Sequence, residues 1–315
     1  MSDVICLGEL LIDFVPTVTG VTLIDAPAFQ KAPGGAPANV AVGLSRLGIS
    51  SAFMGKVGDD AFGHFLANIL RDAGVNIQAL HFATEARTAL AFVSLKADGD
   101  REFMFYRHPS ADMLFTPEEV DTDLIQQAKL LHFGSISLIS SPSREATLHA
   151  IDCAQQAGKI ISCDPNLRLA LWQDEQAARE GMLLALKQAQ IVKVSEEELE
   201  FLTGTTDPAA VYQQLWHDRM MLLLLTKGTQ GCRFMTSHAE GEVPSFPVKA
   251  IDTTGAGDAF MAGFLQGIVK NPEILEDPAQ LNQLCRFANA AGALTTTQRG
   301  AIPALPTRQQ VDSFF

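Results

Sequence analysis

Basic residues are scarce in this chain. Its 315 residues carry 23 Lys and Arg against 36 Asp and Glu, a formal net charge of −13 at pH 7. So acidic a surface repels polyanions, which argues against nucleic acid or an anionic membrane as a partner. Long apolar runs are lacking too. A bilayer span needs ~18 consecutive apolar residues, and the greasiest stretch, MMLLLLT at Met220–Thr226, has only the length of a strand. No basic segment precedes the first apolar run, VICLG at Val4–Gly8, so the chain reads as having no signal peptide and as cytoplasmic. There are five cysteines (Cys6, Cys153, Cys163, Cys232 and Cys285) and no Cys-x-x-Cys pair. An odd set in apolar contexts reads as reduced core thiols, which favours a reducing compartment and argues against a zinc site. Internal repeats and low-complexity segments are absent. A hydrophobic share of 47% suffices for one large domain, or a domain with a small appendage.

What is present is alternation. Short apolar runs (Val4–Gly8, AFMGKV, KLLHFG, KIISCD at Lys159–Asp164, QIVKV at Gln190–Val194, and Met220–Thr226) are separated by helical patterns. In one helix Phe62, Phe65, Leu66, Ile69 and Leu70 recur at helical spacing, with Asp59 or Asp60 to cap it and Gly74 to end it. Alternating strand and helix implies a mostly parallel, doubly wound sheet covered on both faces, a three-layer α/β fold. Ligands then bind beyond the carboxyl ends of the strands. Two segments depart from the pattern. Val15–Phe29 is strand-like and rich in turns. Thr88–Leu95 and Arg101–Tyr106 flank an Asp-Gly turn in KADGD, Lys96–Asp100, as in an antiparallel hairpin. Together these predict a small β-sheet lid, formed by about residues 13–33 and 84–108, inserted in a single domain of residues 1–315. GCRFMT and GEVPSFPV predict a late hairpin, and a helix is expected over Pro278–Thr296.

The most informative stretch is IDTTGAGDAFMAGFLQGIVK, Ile251–Lys270. Gly255, Ala256 and Gly257 sit where a helix begins, and Asp258 follows at once. The first N–H groups of a helix lack partners and its dipole is positive there, so a glycine turn at that point makes an anion site. A Gly-rich turn with Asp258 as a favourable first-turn charge fits the same letters equally well. APGGAPANVA, Ala32–Ala41, also sets two glycines, Gly34 and Gly35, before a helix. Asn39 there offers both a donor and an acceptor to a hydroxyl; an ordinary loop with two turn glycines is the simpler reading of these residues alone. Asp13 in GELLIDF follows a buried strand and suits a polyol, or else a surface turn. DPNLRLALW, Asp164–Trp172, places Arg168 past another strand end, ready for a phosphate or a carboxylate. SEEELEFLTG, Ser195–Gly204, is mostly a solvated helix face from which one acid could reach metal-bound water. LTKGTQG, Leu225–Gly231, is a turn of the kind that borders a nucleotide.

DTTGAGDAF resembles the signature of the PfkB, or ribokinase-like, carbohydrate kinases, and GGAPANVA resembles their other glycine motif. The order and spacing of all six stretches fit, so the resemblance covers essentially the whole chain. Within the family, GELLIDF, KAPGGAPANVAVGLSRLG, REFMFYRHPSADML, DPNLRLALW and SEEELEFLTG look closely similar to the fructokinase branch of plants and bacteria.

The resemblance implies roles residue by residue. Asp258 matches the catalytic base, and Gly255, Ala256 and Gly257 match the anion hole. Asp13, Gly34, Gly35 and Asn39 match sugar contacts. Phe105, Arg107 and Arg168 match positions that reach the substrate in related sugar and sugar-acid kinases. Thr226, Gly228 and Gly231 match the nucleotide turn, Asn289 a position beside the adenine, and Asp252 with Thr254 a monovalent-cation site, for K⁺. The family's Asn-x-x-Glu metal motif aligns with Ser195–Glu198, so the asparagine is missing; Glu198 keeps the acid that reaches Mg²⁺ through water, and Lys193 becomes a candidate phosphate contact. Leu11 stands where ribokinases carry a polar sugar contact, which fits fructokinases better than ribokinases. The implied activity is transfer of a phosphoryl group from ATP to fructose, with 2-keto-3-deoxygluconate kinase or aminoimidazole riboside kinase as alternatives. A non-catalytic sugar sensor is the reading from another class. A carboxylate beside a helix N-terminus is expected to stay ionised, and so to be a weak base. Packing of lid against lid in a homodimer is also expected.

Overall fold

The structure is a computed structural model and describes residues 2–18, 20–95, 101–205 and 207–315. The chain opens with strands β1 (Val4–Leu7), β2 (Leu11–Pro16) and β3 (Phe29–Gly34), then α1 (Ala36–Arg46), β4 (Ser51–Gly58), α2 (Ala61–Asp72) and β5 (Asn76–Ala83). Next come β6 (Leu90–Leu95), β7 (Arg101–Tyr106), α3 (Thr122–Gln127), β8 (Leu130–Phe133), α4 (Ser143–Gln156), β9 (Ile160–Cys163) and α5 (Glu175–Gln188). They are followed by β10 (Ile191–Ser195), α6 (Glu196–Thr203), α7 (Pro208–Leu215), β11 (Leu222–Thr226), β12 (Cys232–Met235) and β13 (Glu240–Val243). Helices α8 (Ala256–Lys270), α9 (Pro278–Thr295) and α10 (Arg308–Asp312) complete the order.

A nine-stranded sheet runs β13-β12-β11-β10-β9-β8-β1-β4-β5, and a four-stranded sheet runs β3-β2-β6-β7. In the large sheet every pairing from β11 across to β5 is parallel, and the β12–β13 hairpin adds an antiparallel edge. Its central strands are mainly apolar on both sides, as in β1 (VICL) and β11 (LLLLT), because both faces are covered. Val4 and Cys6 of β1 enter one core with α1, α2, α8 and α9; Ile5 and Leu7 enter the other with α3 to α7. Leu222 and Leu224 divide from Leu223 and Leu225 in the same way. These leucines are at most 4% exposed, so truncating Leu224 to Ala would cost about 2–5 kcal/mol. Of the two candidate caps of α2, Asp60 is the one used: its Oδ1 accepts from the N–H groups of Phe62 and Gly63, both at 2.9 Å.

The small sheet is built differently. β2 pairs antiparallel with β3 and parallel with β6, and β6 pairs antiparallel with β7. The predicted Asp-Gly turn at Lys96–Asp100 lies outside the described residues. Alternation sends Leu11, Asp13, Val93, Phe103 and Phe105 to one face, over a cavity. The other face carries aromatics. Phe92 stacks on Phe14 at 4.9 Å between ring centroids and meets Phe29 at 5.2 Å and Tyr106 at 5.6 Å. Met104 and Tyr106 on that face are exposed.

Two expectations shift. The strand character read into Val15–Phe29 belongs to its flanks, since β2 ends at Pro16 and β3 starts at Phe29. Prolines at 16 and 27 withhold ladder N–H groups, and beyond Thr17 N–H donating to Ala28 O at 3.0 Å the described residues between run in turns and a lone bridge. Strand β5 has no counterpart in the sequence reading. It is the edge of the large sheet, half exposed, and Asn76, Gln78 and His81 interrupt its apolar pattern.

Candidate active site

The strand ends of the large sheet and the inner face of the small one enclose a cavity of about 810 Å³. Asp258, the third residue of α8, is buried on its wall. Its Oδ2 accepts from Asn39 Nδ2 at 2.7 Å and its Oδ1 from Asn166 Nδ2 at 3.5 Å. Asn166 holds a left-handed backbone, φ 51°, which asparagine tolerates better than most residues. Burial pushes the Asp258 pKa up to about 6; the Asn39 bond opposes this, Asp164 adds to it, and Lys193 and Arg168 pull it back. The expectation that the carboxylate stays ionised therefore holds at pH 7, and the expectation of a weak base is corrected. Desolvation outweighs the helix terminus, and Asp258 is a better proton acceptor than an exposed aspartate while still mainly ionised at pH 7.

The glycine turn beneath it is only partly as expected. Gly255 caps α8 in the left-handed region at φ 79°, and a Cβ there would stand 2.8 Å from Ala301 Cβ, so only glycine fits. Gly255 and Gly257 line the cavity. Ala256 does not: its N–H is turned onto Thr253 O at 3.3 Å. Lys193 of β10 faces the turn, its Nζ 3.1 Å from where a Gly257 Cβ would lie. The same Nζ donates to Asp164 Oδ2 at 2.8 Å. Burial works to lower the Lys193 pKa, but Asp164 and Glu198 outweigh it and hold the ammonium above its usual range.

Asp13 lies within β2 rather than in a loop after β1, and points into the cavity from the small sheet. Burial raises its pKa to about 7; Arg168 opposes the rise and Asp258 reinforces it. Gly34 pairs with Leu11 across the ladder, and a Cβ on it would fall 2.1 Å from Asp13 Oδ2. The absence of a side chain at 34 is what gives the carboxylate its room. Gly35, Asn39, Phe105 and Arg168 line the same cavity. Arg168 Nη1 donates to Leu167 O at 2.9 Å, and its guanidinium lies 5.9 Å from the Phe103 ring centre.

Other expected site residues stand outside the lining. Arg107 is buried in an ion pair with Asp112, Nε to Oδ2 2.7 Å. Glu198 spends Oε1 on the N–H of Leu167 and Oε2 on that of Ser195, both at 2.8 Å, the second as half of a capping box. Thr226 ends β11, and Gly228 and Gly231 bound the turn after it with φ 52° and 102°. Asn289 of α9 donates to Val243 O at 3.0 Å and to Pro244 O at 3.2 Å, pinning the chain that leaves β13. Asp252 and Thr254 do line the cavity. Asp252 Oδ1 accepts from Thr254 N and Oγ1 at 2.9 and 2.7 Å, and its Oδ2 from Gly300 N at 2.9 Å.

Four residues escaped the sequence reading: Glu9, Asp112, Asp164 and Asn166. Asp164 and Asn166 sit at the end of β9, where the strand-end rule could have found them. Glu9 and Asp112 gave no local signal, since only the fold turns them inward.

Fold and cavity together are those of an α/β sugar kinase. The chain belongs to the pfkB family of carbohydrate kinases, whose pattern matches residues 1–308. It is 57% identical over 309 residues to fructokinase-1 of Zea mays, covering 98% of this chain and 96% of the maize protein. The crystal structure of fructokinase with bound ATP from Xylella fastidiosa superposes with a TM-score of 0.92 at 38% identity, covering 100% and 98% of the two chains. A double mutant of Vibrio cholerae fructokinase, solved in fructose-, ADP- and potassium-bound form, gives 0.89 at 37% identity, covering 100% and 98%.

Proposed function

We propose that the chain is a fructokinase, transferring the γ-phosphoryl group of ATP to the primary hydroxyl of D-fructose to give fructose 6-phosphate and ADP. The observation that carries this reading is that Asp258 of α8 and Asp13 of the small sheet line one cavity together with Gly255 and Gly257. The naming of maize, Xylella and Vibrio relatives as fructokinases supports the choice of sugar. Asp13, the Gly34–Gly35 turn and Asn39 hold the sugar's hydroxyls, with Phe105 and Arg168 beside it. Asp258 takes the proton of the attacking hydroxyl. Phosphoryl transfer passes through a loose transition state, so position and charge stabilisation matter more than base strength. The N–H groups of the turn and the Lys193 ammonium stabilise the oxygens of the group in transit. Thr226, Gly228, Gly231 and Asn289 border the nucleotide. Closure of the small sheet over the sugar excludes water and limits ATP hydrolysis.

Mg²⁺ suits this site as an ion held through its own waters. Among the described residues no group of three or more His, Cys, Asp or Glu is placed to hold a metal ion directly. Asp164 Oδ1, however, is buried with no hydrogen-bond partner among them, an acceptor fit for a metal-bound water. Glu198 would join it through its remaining lone pairs. The ion neutralises phosphate charge. K⁺ is assigned to the backbone around Asp252 and Thr254, which the Asp252 carboxylate ties to Gly300.

No helix among the described residues is long and apolar enough to cross a membrane, and we place the enzyme in the cytoplasm. The aromatic outer face of the small sheet would pair with its copy in a homodimer. Sedimentation equilibrium at micromolar concentration should give twice the chain mass of 33.9 kDa; a single species at the chain mass overturns the dimer. ADP release measured across fructose, ribose, 2-keto-3-deoxygluconate and a nucleoside tests the activity itself. Fructose should give the highest kcat/KM, and equal ATP turnover with and without sugar would sink the kinase reading.

A further inference from the structure

We infer that Asp112 makes the enzyme prefer neutral over carboxylate-bearing sugars, by holding Arg107 in an ion pair one layer behind the cavity wall. This deepens the fructokinase reading and rests on it. Phe103 and Phe105 of β7 face the cavity, and Arg107 follows two residues later, in the register that faces the same way. Yet Arg107 does not line the cavity. Its Nε donates to Asp112 Oδ2 at 2.7 Å and its Nη2 to Ile136 O at 3.4 Å. The side chains of Arg107 and Asp112 are 4% and 3% exposed. The second oxygen of Asp112 accepts from Ser110 Oγ at 2.5 Å, so the carboxylate is fixed at both ends.

The wall in front of this pair is formed by Ile136 and Glu9, and both line the cavity. Glu9 responds to both charges behind it: burial raises its pKa to about 7, Arg107 opposes the rise and Asp112 adds to it. A sugar carboxylate entering here meets the acids Glu9, Asp13 and Asp258. Arg168, Lys193, Lys31 and Arg299 also line the cavity, with Lys193 tied to Asp164 and Lys31 over the Phe65 ring, but the cation felt at Glu9 is Arg107, whose charge Asp112 already matches. A neutral ketose needs no such cation and loses nothing. Once Asp112 is neutralised, the buried guanidinium lacks its counter-charge, a costly state that a substrate carboxylate relieves with paired hydrogen bonds.

The test compares kcat/KM for fructose and for 2-keto-3-deoxygluconate in the wild-type enzyme and in Asp112→Asn. The ratio should move toward the acid by about tenfold or more, ~1.4 kcal/mol. Asp112→Glu keeps the charge and should restore the wild-type ratio. A merely structural Asp112 would lower both activities in parallel, and an unchanged ratio in folded Asp112→Asn overturns the inference. If Asp112→Asn does not fold, Asp112→Ser takes its place, because it also removes the charge while its hydroxyl leaves Arg107 a polar partner. A shift in the same direction supports the inference, and no shift overturns it. A wild-type enzyme that itself prefers the acid refutes the fructose reading and this inference together. A fructose-preferring enzyme whose variants do not move refutes the inference alone.

Discussion

The two sheets divide the labour of the cavity by how deeply they are buried. The large sheet is covered on both faces. Around its strand ends stand the groups with fixed charge and fixed partners: Lys193 on Asp164, and Asp258 on α8 between Asn39 and Asn166. The small sheet has one face over the cavity and one aromatic face that reaches solvent, and its contribution is Asp13 with the two phenylalanines of β7. A site for phosphoryl transfer gains from immobile donors. A site for binding and releasing a sugar gains from a thin element that can move. If this division holds, damage to the first sheet should appear in turnover and damage to the second in sugar affinity.

The largest effect is expected at Asp258. Asp258→Asn keeps the shape and removes the proton acceptor, so kcat should fall ~10²–10⁴-fold while ATP affinity, measured by calorimetry, stays close to wild type. More than about a tenth of wild-type turnover would remove Asp258 as the base. Asp13→Ala strikes the other sheet. A charged hydrogen bond is worth ~1.5–3 kcal/mol, so KM for fructose should rise by ~10–100-fold with KM for ATP little changed. An unaltered fructose KM would erase the contrast. The pH profile sharpens it further. In the empty cavity Asp258 has a pKa of about 6 and it must be ionised to act, so kcat/KM should fall at least tenfold per unit below that value. A plateau extending down to pH 5 would contradict the pKa.

The smallest effect concerns stability in the absence of ligands, where the buried acids and a buried histidine have opposite signs. Glu9 and Asp13 bind protons more tightly folded than unfolded, near pH 7 rather than 4. Their cost to stability grows as pH rises through that window. His132 of β8 is buried and hydrogen-bonded to Ser162, and burial lowers its pKa to about 3. Its cost appears as pH falls below the ordinary histidine value. Between pH 8 and 6.5 the acids dominate, so calorimetry should find a Tm higher by ~1–2 °C at the lower pH, for a change of about 1 kcal/mol. Glu9→Gln should flatten that slope, and a Tm that falls over the same interval would contradict the raised pKa values.

The large sheet was readable along the chain because a strand buried on both faces is an uninterrupted apolar run. MMLLLLT and VICLG could be little else. The edge strand β5 was not, because half its residues meet water and its polar positions break the pattern. In the site, the glycine turn and Asp258 were legible, since their chemistry lies in adjacent letters. The ion pairs were not. Asp112 is five residues from Arg107 and Asp164 is 29 from Lys193, and nothing local distinguishes a buried acid from a solvated one. The pKa of Asp258 was misjudged for the same reason. The helix terminus is visible in sequence, whereas the desolvation that overrides it is a property of the folded wall.

The raised pKa of Asp13 has a thermochemical consequence. Near neutrality the empty cavity holds a fraction of a proton on this carboxyl, about half at pH 7. Sugar hydroxyls donate only to its ionised form at full strength, so sugar binding drives that proton out. The heat of binding then includes the heat of protonating whatever buffer receives it. In titrations at pH 7 the apparent enthalpy should differ between phosphate and Tris by an amount proportional to the protons released, and the difference should vanish toward pH 9, where Asp13 is already bare.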